Sequence, residues 1–108
     1  MIEKPKVEVC FTPNMFPLYA EDFEVVVVID VLRATSAICT AFHYGVDKII
    51  PVSTLGQAIE YKDKGFHVAA ERKGKIVSGF EFGNSPLAYT NDKLKDQTLV
   101  LTTTNGTK

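Results

Sequence analysis

Five consecutive β-branched residues, Val25-Val26-Val27-Val28-Ile29, constrain this chain more than any other feature. Such side chains lose rotamer freedom in a helix and pack well on a pleated surface. A run of five sends apolar groups to both faces of a strand, the pattern of a central, parallel-type strand covered on each side. The run therefore predicts a buried strand over 25–29 that delivers Asp30 to the end of a sheet.

The rest of the chain alternates in the same style. Lys6 to Phe11 alternates polar and apolar residues, as a strand with one solvated face would, and two prolines, Pro13 and Pro17, then interrupt regular structure. Thr35 or Ser36 is expected to cap a helix that runs through Ala37, Ile38, Ala41 and Phe42 and stops at Gly45. Lys48 to Val52 reads as a strand whose Pro51 suits an end or an edge. Thr54 caps a second helix over Leu55 to Lys64, closed by Gly65. Phe66 to Ala70 is a third strand, Ile76 to Phe82 a loop or short strand, and Ser85 before Pro86 starts a short helix through Tyr89. Gln97 to Thr102 is the last strand. Alternating strands and helices predict an α/β layer with a mostly parallel or mixed sheet and flanking helices. The polar loop after the last strand stands where a covering helix would follow. That strand is expected to lack its layer, so the 108 residues read as an incomplete part of a larger fold, or as a piece that another chain completes.

Composition narrows the function. Twelve basic and 13 acidic residues leave a net charge of −1, so no broad field attracts nucleic acid or an acidic membrane, and any anion site must be local. No apolar run nears the ~20 residues of a membrane-spanning helix. The first residues, Met1 to Lys6, lack the apolar stretch and small-residue cleavage site of a secretory signal, and the expected location is the cytoplasm. Cys10 and Cys39, each among apolar neighbours, read as two reduced, buried thiols. His43 and His67 fall within a predicted helix and strand, and are expected to serve packing or surface rather than catalysis.

Ligands of open α/β sheets bind beyond the carboxyl ends of the strands. Four polar clusters fall at such ends: Asp30 to Ser36, Glu71 to Lys75, Glu81 to Ser85, and Thr102 to Thr107. Asp30 is placed to meet a metal or a phosphoryl group, and equally to do no more than end its strand. Arg33 carries a fork of donors matched to phosphate or sulfonate oxygens, though a surface ion pair explains it too. Thr35 and Ser36 put hydroxyls and N–H groups at a helix start that favours anions; capping alone would also account for them. Glu71 could complete a metal site with Asp30, and Arg72 could hold an acid group, against a plain solvated charge run that absorbs Lys73 and Lys75. Glu81, Asn84 and Ser85 lie in a constrained turn. Thr103, Thr104, Asn105 and Gly106 could aim N–H groups at phosphate oxygens, but without the glycine spacing of a nucleotide P-loop.

Taken in order, Asp30-Val31-Leu32-Arg33-Ala34-Thr35-Ser36, Ala70-Glu71-Arg72, Gly79-Phe80-Glu81-Phe82-Gly83-Asn84-Ser85-Pro86 and Leu101-Thr102-Thr103-Thr104-Asn105-Gly106-Thr107 resemble the signature blocks of the 2-phosphosulfolactate phosphatase family. The likeness spans Val9 to Lys108 and departs at Lys73-Gly74-Lys75, where a more glycine-rich stretch is expected. Members are longer, so the resemblance implies that residues 1–108 are the N-terminal portion of such an α/β domain. It further implies a Mg²⁺-dependent acid phosphatase that converts 2-phosphosulfolactate to sulfolactate and phosphate, a step toward coenzyme M. Asp30 and Glu71, with Glu81 as a third candidate, would hold Mg²⁺. Arg33 and Arg72 would grip the acidic groups, while Thr35, Ser36, Asn84, Ser85, Thr103, Thr104, Asn105 and Gly106 would contact substrate. Attack by water is preferred over an aspartyl-phosphate at Asp30, because Leu32 stands where haloacid-dehalogenase-type phosphatases carry a second aspartate. The expected partner is a small phosphate ester, with no nucleic acid and no membrane; association into a homo-oligomer is compatible with the sequence. Two rival readings are a non-catalytic anion-binding domain and a fragment completed by a partner chain.

Overall fold

The computed structural model describes residues 3–107; Met1, Ile2 and Lys108 lie outside them, and with them the ends of the Met1 to Lys6 stretch and of the likeness that runs to Lys108. Four strands form one sheet: β1 (Lys48–Pro51), β2 (His67–Arg72), β3 (Lys75–Ile76) and β4 (Thr98–Thr102), in the order β1-β4-β2-β3. β4 pairs in parallel with both β1 and β2, and β3 turns back antiparallel on β2. Two helices, α1 (Ala34–His43) and α2 (Leu55–Asp63), flank it. The expected α/β class with a mixed sheet is the one observed. Pro51 closes β1 at the sheet edge, where its missing N–H leaves no ladder bond unmade.

The last strand of the chain, not the valine run, is central. Along β4, Leu99 and Leu101 point into a core with Ala37 and Ala41 of α1, Ala69, Phe82, Tyr89 and Leu94, while Val100 points the other way to Ala58 of α2, Val52 and Val68. The strand period of two sends neighbours to opposite layers. Leu99, Val100 and Leu101 are at most 1% exposed. The expectation that β4 lacks a layer is therefore corrected: α1 and the short 3-10 helix Pro86–Tyr89 cover one face, and α2 the other.

The predicted strands over 6–11 and 25–29 are corrected as well. Neither belongs to the sheet, and Val25 to Ile29 are 55% to 78% exposed. Both edges of β4 are already taken by β1 and β2, and the run ends at Asp30, whose backbone is tied to the start of α1 through Thr35 N–H on the Asp30 carbonyl at 2.9 Å. Extended propensity alone makes no ladder, and the run pairs with no strand of the sheet. These N-terminal segments lengthen the molecule to 51 × 27 × 24 Å, with a radius of gyration of 15.6 Å against about 13 Å for a compact domain of this size.

Helix ends show how local chemistry works here. Thr54 and Gln57 form a capping box, the Thr54 hydroxyl accepting from Gln57 N–H and the Gln57 side chain accepting from Thr54 N–H, both at 3.2 Å. α1 differs from expectation: it starts at Ala34, two or three residues early, and neither Thr35 nor Ser36 caps it. Thr35 Oγ1 accepts from Asp30 N–H at 2.9 Å and Ser36 donates to the Val31 carbonyl at 2.6 Å, so both hydroxyls lace the preceding loop to the helix. Cys39 is exposed and Cys10 half-buried, which corrects the expectation of two buried thiols. The buried stripe of α1 is Ala34, Ala37 and Ala41, and Cys39 sits two residues off it, on the opposite side of a 3.6-residue turn.

Candidate active site

Beyond the carboxyl ends of β2 and β4 lies a cavity of about 240 Å³ lined by Asp30, Leu32, Arg33, Glu71, Lys73, Gly74, Asn84, Thr103, Thr104 and Asn105. All four predicted clusters thus contribute to one place, the Glu81 to Ser85 cluster through Asn84 alone, where strand polarity converges the loops after β2 and β4 on the start of α1.

The floor is Glu71, 5% exposed although charged. Its Oε1 accepts from Gly74 N–H at 2.7 Å and from the Thr104 hydroxyl at 2.8 Å; its Oε2 accepts from Thr104 N–H at 3.1 Å and from the Asn84 amide at 3.3 Å. Burial alone would push its pKa up. The N–H groups of Thr104 and Gly74, the Thr104 hydroxyl and the nearby Arg72 charge together outweigh that and hold the carboxyl below the usual carboxylate range.

Asn84 bridges onward, its Oδ1 accepting from Arg33 Nη2 at 2.9 Å. Arg33 also reaches the Gly74 carbonyl at 3.4 Å. Asn84 is held from below by Tyr89, whose buried hydroxyl donates to the neighbouring Gly83 carbonyl and whose pKa burial pushes up. On the third side, Thr103 Oγ1 accepts from Gly106 N–H at 2.9 Å and Thr103 N–H donates to Thr107 at 3.0 Å, folding 103–107 into a tight loop. Gly106 is required there by space: a Cβ would stand 2.6 Å from Ala34 Cβ and 3.3 Å from Asp30 Oδ2. Asp30 itself is half-buried, and among the described residues nothing donates to its carboxylate.

The predicted site residues divide accordingly. Asp30, Arg33, Glu71, Asn84, Thr103, Thr104 and Asn105 line the cavity, and Gly106 packs behind it. Arg72, Glu81, Thr35, Ser36 and Ser85 do not line it. Arg72 follows Glu71 on a strand and so faces the other way, donating to the Thr102 hydroxyl at 2.9 Å and the Glu71 carbonyl at 2.6 Å. Glu81 is exposed. Ser85 precedes the 3-10 helix without a side-chain cap bond, and the hydroxyls of Thr35 and Ser36 are used as described. Lys73, which reads in sequence as part of a solvated charge run, lines the cavity together with Gly74, the two forming the turn of the β2–β3 hairpin, both with positive φ (54° and 77°). The signal was a residue-glycine pair between extended segments, the sequence of a type I′ hairpin.

A family model for 2-phosphosulpholactate phosphatase matches residues 10–108 of this chain. The chain belongs to the 2-phosphosulfolactate phosphatase family. A probable 2-phosphosulfolactate phosphatase of Thermotoga maritima is 47% identical over 94 residues, covering 87% of the chain and 41% of that relative. One of Carboxydothermus hydrogenoformans is 48% identical over 105 residues (95% and 42%), and one of Clostridium novyi 51% identical over 86 residues (77% and 37%). The chain thus spans about two fifths of the length of these curated relatives. Among the described residues no helix is long and apolar enough to cross a membrane.

The donors of the cavity decide whether it suits a divalent cation. Among the described residues no three His, Cys, Asp or Glu side chains gather as a metal cage. Mg²⁺ needs none, since it is held by one or two carboxylates together with phosphate oxygens and water. Asp30, with both carboxylate oxygens uncommitted at the cavity wall, meets that requirement.

Proposed function

We propose that this chain carries the phosphoester site of a Mg²⁺-dependent phosphatase that hydrolyses 2-phosphosulfolactate, or a similar acidic phosphate monoester, to the hydroxy acid and phosphate. The observation that carries the reading is that Asp30 and Arg33 line one cavity with the Thr103–Asn105 loop. Two carboxylates and two cations, Lys73 being the second, share its wall, so a substrate dianion would meet Asp30 across a short gap. A Mg²⁺ ion held by Asp30 would offset that repulsion, polarise the phosphoryl oxygens and lower the pKa of a bound water. Arg33 offers the guanidinium donors that Asn84 leaves unused, and Lys73 adds a mobile positive charge at the rim. Thr104 has given its N–H and hydroxyl to Glu71, but the neighbouring Asn105 lines the cavity where its amide can meet charge that develops on the phosphoryl oxygens.

The names of the relatives support the substrate class, and the expected cytoplasmic location and coenzyme M pathway belong to this same proposal. Phosphate release from 2-phosphosulfolactate, with Mg²⁺ and with chelator, tests it. Turnover should require the cation, and Asp30→Asn should lower it more than ~100-fold, the worth of several kcal/mol of transition-state charge stabilisation. Normal Mg²⁺-dependent turnover by that variant would remove Asp30 from the chemistry. Phosphate binding without any release would favour a non-catalytic anion-binding domain.

A further inference from the structure

We infer that Glu71 is a positioning residue rather than a metal ligand, and that through Asn84 it sets the guanidinium of Arg33 as the receptor for a phosphoryl oxygen. The inference deepens the reading of this cavity as a phosphoester site and rests on it. A carboxylate offers about four lone-pair positions. Those of Glu71 are filled by Gly74 N–H, Thr104 N–H, the Thr104 hydroxyl and the Asn84 amide, donors from three separate segments of the chain. A cation at either oxygen would have to displace one of them and leave a buried donor without a partner. The Asp30 carboxylate, on the same cavity, receives no hydrogen bond from the described residues and needs no such displacement.

Asn84 transmits the arrangement. It is buried, and its amide is oriented by two charged neighbours: the NH₂ end toward the Glu71 carboxylate, the carbonyl end toward the Arg33 guanidinium. The opposite orientation would face NH₂ against guanidinium and carbonyl against carboxylate. Each end thus makes one of the two hydrogen bonds open to it, and the orientation of the amide is set before any substrate arrives. Arg33 spends Nη2 on Asn84 and the Gly74 carbonyl, whereas its Nε and Nη1 make no hydrogen bond with the described residues. Glu71 therefore holds two things at once: the floor of the anion site, by pinning the 73–74 turn and the 103–105 loop, and the direction of Arg33.

Binding measurements separate this from metal ligation. Inorganic phosphate would be titrated calorimetrically into the metal-free chain, and Mn²⁺, as a spectroscopic stand-in for Mg²⁺, followed by electron paramagnetic resonance. Arg33→Ala and Asn84→Ala should each weaken phosphate about tenfold, and the double variant no further than Arg33→Ala alone, because the two act through one contact. Glu71→Gln should weaken phosphate about fivefold or more and leave Mn²⁺ affinity within about threefold. Additive effects of Arg33→Ala and Asn84→Ala would overturn the inference. So would a Glu71→Gln variant that loses Mn²⁺ more than about tenfold while binding metal-free phosphate normally. Should Glu71→Gln fail to fold, the Arg33–Asn84 cycle decides alone, since a merely structural Asn84 would lower stability without coupling to Arg33. If Arg33→Ala leaves phosphate affinity untouched, the phosphoester site itself is refuted, an outcome distinct from a failure of Glu71 and Asn84 to position it.

Discussion

Replacing Gly106 by alanine tests the junction on which the cavity is built. The new Cβ would stand 2.6 Å from Ala34 Cβ and 3.1 Å from Thr103 Oγ1. Carbon atoms rest at about 3.5–4.0 Å, so loop and helix start must part by about 1 Å. Ala34 is buried at the first position of α1, which leaves the loop as the part to move. That motion strains the Gly106 N–H to Thr103 bond of 2.9 Å and the Thr103 N–H to Thr107 bond of 3.0 Å. Overpacking of this kind costs typically 1–3 kcal/mol, and we expect about 2 kcal/mol, or a Tm lower by about 8 °C for a domain near 100 residues. Urea denaturation of the wild type, Gly106→Ala and a control, Gly65→Ala, measures it. Gly65 has φ +88° with nothing within 4 Å, so the control reports backbone strain without a clash, about 1 kcal/mol. Because Asp30 Oδ2 lies 3.3 Å from the same Cβ, Gly106→Ala should also disturb cation binding, and Gly65→Ala should not. A Gly106→Ala chain within about 0.5 kcal/mol of wild type, the scatter of ordinary surface changes, would refute the close approach of loop and helix.

Three further outcomes follow from the same structure. Glu71 has its pKa held below the usual range in the folded chain, so the unfolded chain binds the extra proton first on acidification; the stability Glu71 contributes is complete above the ordinary carboxylate range and is lost as pH falls through the folded value. Denaturation midpoints measured from pH 7 downward should fall for wild type and fall less for Glu71→Gln. Leu101→Ala, in the covered centre of the sheet, should cost about 2–5 kcal/mol, whereas Val27→Thr, on the exposed run, should change stability by less than about 0.5 kcal/mol; equal costs would mean the valine run is packed. Tyr89→Phe leaves the buried Gly83 carbonyl without its donor and should cost about 1–3 kcal/mol by thermal melting, with Asn84-dependent phosphate binding reduced alongside.

What the order of residues settled by itself was local. Thr54 with Gln57, Gly45 and Gly65 after their helices, and Pro51 at a strand end all act within a few residues of themselves, through caps, left-handed φ and a missing donor, and each stands where the sequence places it. The polar blocks were equally readable, and the cavity gathers Asp30, Arg33, Glu71, Asn84 and Asn105 from them, although 25–29 forms no strand to deliver Asp30. Only the tertiary structure decided which strand is central. β-Branching says that Val25 to Ile29 can extend, but a central strand needs a partner on each side, and it is β4 that has both, in β1 and β2. It likewise decided side-chain duty within each block: strand alternation turns Arg72 away from Glu71, the early start of α1 turns the Thr35 and Ser36 hydroxyls inward, and the hairpin brings Lys73 to the rim. Direction in space depends on register and pairing, which are properties of segments far apart in the chain, and no local pattern encodes them.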